Sequence, residues 1–161
     1  MSLNKYLILL FTMMYYPLSA SHILGGEMSI ENVIGARYEL SLSLYFDAND
    51  GNDIVEDSII VSSFRKSDNQ RIENFFLVNK GEFSKPVIDN SQCSEGLNIR
   101  IYTYTAQIFL DGMTYNSSEG YYFSWQRCCR ANSIANLTNS GTEGYVFYLE
   151  FPDLSDVEIN S

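Results

Sequence analysis

From Arg37 to Asp47 the chain alternates without a break. Tyr38, Leu40, Leu42, Leu44 and Phe46 fall on one side, and Arg37, Glu39, Ser41, Ser43 and Tyr45 on the other. Side chains of a strand point alternately to its two faces, so a period of two predicts a β-strand with one face buried. The alternation recurs over Ser58 to Arg65 and Tyr145 to Phe151, strands are also predicted over Glu27 to Val33 and Ile72 to Val78, and Ile99 to Leu110 reads as a long strand from its β-branched and aromatic residues. Phe75-Phe76-Leu77-Val78 is apolar throughout, which suits a strand buried on both sides or at the edge of the core. Another strand leads into the cysteine pair. There Tyr121, Phe123 and Trp125 share a face, and the only tryptophan of the chain reads as a core anchor.

Turn chemistry separates these segments. Asp50-Gly51, Ser67-Asp68-Asn69, Lys80-Gly81 and Gly141 to Gly144 are turn signals, and Pro152 stops the last strand. Gly25-Gly26 marks a bend or a close backbone approach. Glu82 to Gly96 reads as a loop. No segment has sustained helical periodicity. The sum is an all-β chain of about seven strands, predicted to form an immunoglobulin-like antiparallel β-sandwich, with a jelly roll as the rival architecture.

The first twenty residues follow a different pattern. Lys5 precedes an apolar run from Tyr6 to Tyr16, and Pro17-Leu18-Ser19-Ala20 resembles a small-residue cleavage site. This predicts a signal peptide over residues 1–20, a mature β-sandwich domain over 21–161, and a secreted or cell-surface protein. The apolar run is too short for a comfortable membrane span, so no transmembrane segment is expected.

Export gives the three cysteines their meaning. In an oxidising compartment Cys93, Cys128 and Cys129 are disulfide candidates, and an odd number leaves one thiol over or bonded to another chain. Cys128 and Cys129 are adjacent and point to opposite faces if the strand continues through them. A bond from Cys93 to either of them is expected, with a bond between the adjacent pair as its competitor. One histidine and no spaced cysteine pair make a poor zinc site.

Charge narrows the partners. The 161 residues carry a formal net charge of −10, which argues against nucleic acid and anionic membranes. The acidic stretch Asp47, Asp50, Asp53, Glu56 and Asp57 offers hard oxygen ligands to calcium. Counting from Asp47, however, Gly51 is the fifth residue, where an EF-hand needs glycine sixth. A solvated acidic loop is the plainer reading, and no other cofactor is indicated.

Catalytic motifs are missing from the sequence. It has no G-x-S-x-G elbow, no phosphate loop, and no histidine placed to serve a serine or cysteine. Carboxylates are plentiful, but no pair stands out. A non-enzymatic structural or adhesive domain is therefore expected, its partner a surface protein or glycan. The alternative is a carbohydrate-binding module using exposed aromatics. Tyr45, Tyr102, Tyr104 and Tyr148 are the candidate binding surface, because they lie opposite better core stripes or in mixed strands.

Three stretches together resemble a known family. Ser21 to Glu27 resembles its SHIxGGE opening, Tyr38 to Asp47 its Y-x-L…LYRDC strand, and Tyr122 to Asn136 its QRCCRN segment; Phe151-Pro152-Asp153 resembles its closing IPD. These are N-terminal domains of large secreted or surface proteins of gliding Bacteroidota. The resemblance implies an adhesin-like or gliding-motility-associated role and no named reaction. The family places further cysteines near positions that here are Asn32, Ala48 and Asn98, so no disulfide pairing carries over from it.

Overall fold

The computed structural model describes residues 23–49, 55–86, 98–128, 138 and 143–156. The predicted leader, Cys93, Cys129, Asp50 and Asp53 lie outside the described residues. The chain is all-β, as its alternation requires. The strands are β1 (Ile23–Ile34), β2 (Arg37–Asp47), β3 (Ser58–Arg65), β4 (Arg71–Ser84), β5 (Ile99–Phe109), β6 (Tyr121–Cys128) and β7 (Gly144–Phe151).

Every pairing is antiparallel, and the strands are hydrogen-bonded in the order β1-β2-β5-β4-β3-β6-β7. This is the ABED and CFG order of an immunoglobulin sandwich. The β3–β4 hairpin joins the two halves into one folded sheet. β4 serves both halves: Arg71 to Val78 pairs with β3, and Val78 to Ser84 pairs with β5 across a register shift between Asn79 and Phe83. Lys80-Gly81 is therefore part of the irregular middle of a long strand and not a turn that ends one. Gly81 supplies the positive φ of +80° needed there. The strand also takes in Glu82 to Ser84, assigned from sequence to a loop.

The inner faces meet in one core. Leu40, Leu42, Leu44 and Phe46 from β2 join Ile59, Val61, Phe75 and Leu77 from the hairpin, and Tyr121, Phe123 and Trp125 from β6. Burial of this apolar surface is the main favourable term in folding. Trp125 is buried, as expected of a core anchor. The Phe75–Val78 run departs from expectation. Phe75 and Leu77 point inward, whereas Phe76 is 64% and Val78 58% exposed. The strand has one buried face, and its outer face is apolar for another reason.

The two edge strands approach each other. The Tyr145 hydroxyl of β7 donates to the Ile23 carbonyl of β1. A Cβ on Gly26 would lie 2.4 Å from the Ser43 carbonyl oxygen and 3.0 Å from the Phe147 ring, so Gly26, though not Gly25, serves a close backbone approach. β1 starts at Ile23, earlier than predicted, and a bulge between Ile23 and Gly25 lets it do so.

The connection from β5 to β6 is fixed by tyrosines. Tyr121, at the start of β6, donates its hydroxyl proton to the Thr114 carbonyl and accepts from the Ser117 N–H, both at 3.1 Å. This is the tyrosine corner expected at the E–F turn of such sandwiches. Tyr115 is buried beside it, with its hydroxyl 3.0 Å from Ser63 Oγ. Gly120 precedes the corner with φ +78°.

Candidate functional site

The outer face of β3, β4, β6 and β7 carries the residues that packing does not account for. Alternation turns Ile60 and Phe64 outward from β3, Phe76 and Val78 from β4, Tyr122 from β6, and Val146 and Tyr148 from β7. Ile60 pairs directly with Phe76, and Val78 sits two residues further along β4 on the same face, opposite Ser58. With Ile60 48% exposed beside the two exposed β4 residues, the three make a continuous apolar row on solvent. Val146 is 63% exposed on the far strand.

Next to this row runs an aromatic ladder. Phe64 and Tyr122 are paired in register, their centroids 5.1 Å apart and their planes 13° apart. Tyr122 and Tyr148 follow at 4.7 Å and 33°. At these distances and angles the rings lie over one another, the offset stacking that aromatic pairs prefer. Their faces are thus turned mainly toward each other, not side by side toward a ligand, which is unlike a flat platform for a sugar ring. Polar groups lock the ladder. The Tyr122 hydroxyl donates to Asn69 Oδ1 at 3.0 Å, and the Tyr148 hydroxyl to Glu150 Oε1 at 2.8 Å. Lys66 Nζ lies 2.5 Å from Glu150 Oε2. The Lys66 hydrogen bond is the main cause that lowers the Glu150 pKa, and desolvation followed by the Glu150 carboxylate pushes the Tyr148 phenol up to about 12.

The four predicted tyrosines do not form one surface. Tyr148 lies on the outer face and is 49% exposed. Tyr45 is half-buried on the outer side of β2, paired with Gly25, and its pKa is raised by desolvation and by hydrogen bonding to Glu27. Tyr104 is a correction: it faces inward opposite Leu42 and is buried in the core. Its phenol is pushed up to about 12, chiefly by burial and next by Glu56, while Arg127 opposes the shift. Tyr102 is partly buried. It lies opposite Leu44 and packs edge-on against Phe46 with centroids 5.4 Å apart. The register with β2 carries both tyrosines to the inner face.

The remaining predicted residues stand apart from this surface. Asp47 ends β2 and accepts a hydrogen bond from the Asn49 N–H at 3.0 Å, an ordinary Asx turn. Its two suggested calcium-binding companions lie outside the described residues, and no group of three potential metal ligands occurs among the described ones. Cys128 ends β6 and is disulfide-bonded; Cys93 and Cys129 lie outside the described residues, and the pairing expectation lies there with them. Near this end of the sheet Arg127 reaches Glu56 at 3.4 Å.

Sequence reasoning passed over Ile60, Phe76 and Val78. The signal was present, since Ile59-Ile60-Val61 and Phe75-Phe76-Leu77-Val78 each put apolar residues on both parities of a strand. No helix among the described residues is long and apolar enough to cross a membrane. The chain matches no protein-family model, no curated protein and no solved structure.

Proposed function

We propose that this is an exported, non-enzymatic contact domain that serves adhesion or surface assembly by docking through the outer face of β3 and β4. The observation that carries the reading is the solvent-facing row Ile60–Phe76–Val78, apolar on a strand pair whose inner face already fills the core. Such a row costs solubility unless a partner covers it. Export rests on the leader pattern over residues 1–20. The surface and gliding-motility setting rests on the resemblance of Ser21 to Glu27 and Tyr122 to Asn136. A protein partner fits a raised apolar row better than a glycan does, because the ladder rings stack on one another and Trp125 is buried.

The test is attachment. Cells displaying the Ile60→Ser/Val78→Ser double variant should adhere to surfaces as weakly as cells lacking the domain, while the purified variant keeps its melting temperature within a few degrees. Unchanged attachment of both would refute the adhesive reading and leave a spacer. N-terminal sequencing of the exported protein should begin at Ser21, and an intact Met1 on protein confined to the cytoplasm would remove the export reading.

A further inference from the structure

β4 leaves β5 halfway along. The two strands pair at Val78–Thr105, after which β4 follows β3 and β5 follows β2. A cleft of about 370 Å³ opens between them, walled by Asn74 to Phe76 on one side and Ala106 to Phe109 on the other. Among the described residues no strand pairs with either wall on the cleft side.

The hydrogen-bonding direction of each wall follows from its flanking bonds. The Leu110 N–H donates to the Ala36 carbonyl, on the β2 side. Backbone groups alternate along a strand, so Ile108 and Ala106 also address β2, and Phe109 and Gln107 present their N–H and C=O groups to the cleft. On the other wall the Asn79 N–H donates to the Asp57 carbonyl, on the β3 side. The same alternation turns Phe76 and Asn74 to the cleft. Two exposed strand edges, neither carrying a lysine or proline to blunt it, thus face one opening.

We infer that this cleft accepts an extended peptide strand from a protein partner, which pairs with Gln107 and Phe109 in the place beside β5 that β4 vacates. Main-chain hydrogen bonds supply the attraction in such strand addition, and alternate side chains supply the choice of sequence. Inward side chains of the peptide would meet Phe75 and Ile108, buried core residues at the cleft floor, so small apolar residues fit there. Phe76 and Phe109, 64% and 50% exposed, flank the opening. The charged residues lining it are both acidic, Glu73 and Asp111. The N–H groups of Thr114 and Met113, at 2.9 and 3.0 Å, donate to the Asp111 carboxylate and lower its pKa, Thr114 first. The occupant is therefore an alternating apolar and basic segment. A second copy of this chain is the poorer occupant: at a net charge of −10 two copies repel, and each would bring its own Glu73 and Asp111 to the same place.

The probe is an acetylated and amidated hexapeptide of alternating lysine and valine, titrated into the isotope-labelled protein. Amide shifts should centre on Gln107, Phe109, Asn74 and Phe76. N-methylation of alternate peptide nitrogens keeps every side chain and charge and removes donors, and should weaken binding about tenfold or more. The matching glutamate–valine peptide should not bind. Gln107→Pro, which deletes an edge donor, should weaken binding to a similar degree. If that variant fails to fold, the N-methylated peptide decides alone. Equal binding of the methylated and unmodified peptides, absence of shifts at these four amides, or self-association through them that the peptide does not displace would each overturn the inference. The cleft shares Phe76 with the outer apolar row but is lined by neither Ile60 nor Val78, so the Ile60→Ser/Val78→Ser variant should bind the peptide normally whether or not it attaches cells.

Discussion

Replacing Tyr121 by phenylalanine removes one oxygen from the β5–β6 corner and leaves the ring in place. The hydroxyl is held by two hydrogen bonds, to the Thr114 carbonyl and from the Ser117 N–H, each 3.1 Å long. The side chain is 1% exposed, so little water replaces what is lost. A net contribution of about 0.5–1.5 kcal/mol per bond gives a loss of about 1–3 kcal/mol. Tyr122 provides the control one residue away. Its hydroxyl makes one bond, to Asn69 Oδ1 on the exposed face, and its phenylalanine variant should lose no more than about 0.5 kcal/mol. Urea unfolding monitored by circular dichroism measures both. With a slope of about 2 kcal/mol per molar, Tyr121→Phe should lower the midpoint by about 0.5–1.5 M with the slope unchanged, and Tyr122→Phe should barely move it. Equal losses for the two, or a larger loss for Tyr122, would refute the claim that the corner fixes this end of the sandwich.

Gly120→Ala should destabilise by about 1–3 kcal/mol, because φ is +78° there and the new Cβ would lie 2.8 Å from the Phe151 carbonyl oxygen; Gly81→Ala, at φ +80° but in open space, should cost less in the same melt. Tyr104 and Tyr115, both pushed up to about 12 by burial first, should ionise together with Tyr148 well above pH 10 when tyrosinate absorbance is followed with pH. Both phenols ionise more readily unfolded, near 10, so stability should hold below pH 10 and fall as pH rises toward 12. Stability unchanged across that window would contradict the burial of both rings. With Cys128 disulfide-bonded, peptide mapping without reduction should recover it linked to Cys93, and reducing such a bond should cost about 3–4 kcal/mol; a bond between the adjacent cysteines would refute this.

The strands were legible where one parity was apolar and the other polar. β2 is the clearest, and its boundaries Arg37 and Asp47 are those its alternation predicts. β5 was not legible in the same way. Tyr102, Tyr104 and Ile108 occupy one parity and Ile99, Ile101 and Phe109 the other, so the strand alone cannot say which face is buried. The answer lies in the pairing of Tyr104 with Leu42, a contact between residues distant in sequence. The outer row escaped for a related reason. Four apolar residues in succession fit a strand buried on both sides as well as one with an unpartnered face. Division of β4 between two neighbours left no local mark except Gly81, which also reads as an ordinary turn. The parting of β4 from β5, and the cleft it makes, are properties of register and not of composition.

The bond between Tyr145 and the Ile23 carbonyl joins residues 122 positions apart. Its consequence is temporal. A chain delivered from its N-terminus presents β1 first and β7 last, so β1 finds β2 at once but its contact with β7 must wait for the final strand. Contacts of such separation carry a large loop-closure cost and slow the search for the native arrangement. Under the export proposed above, a fold closed only by its last strand would stay open during the crossing, and completion of the fold would mark the arrival of that strand.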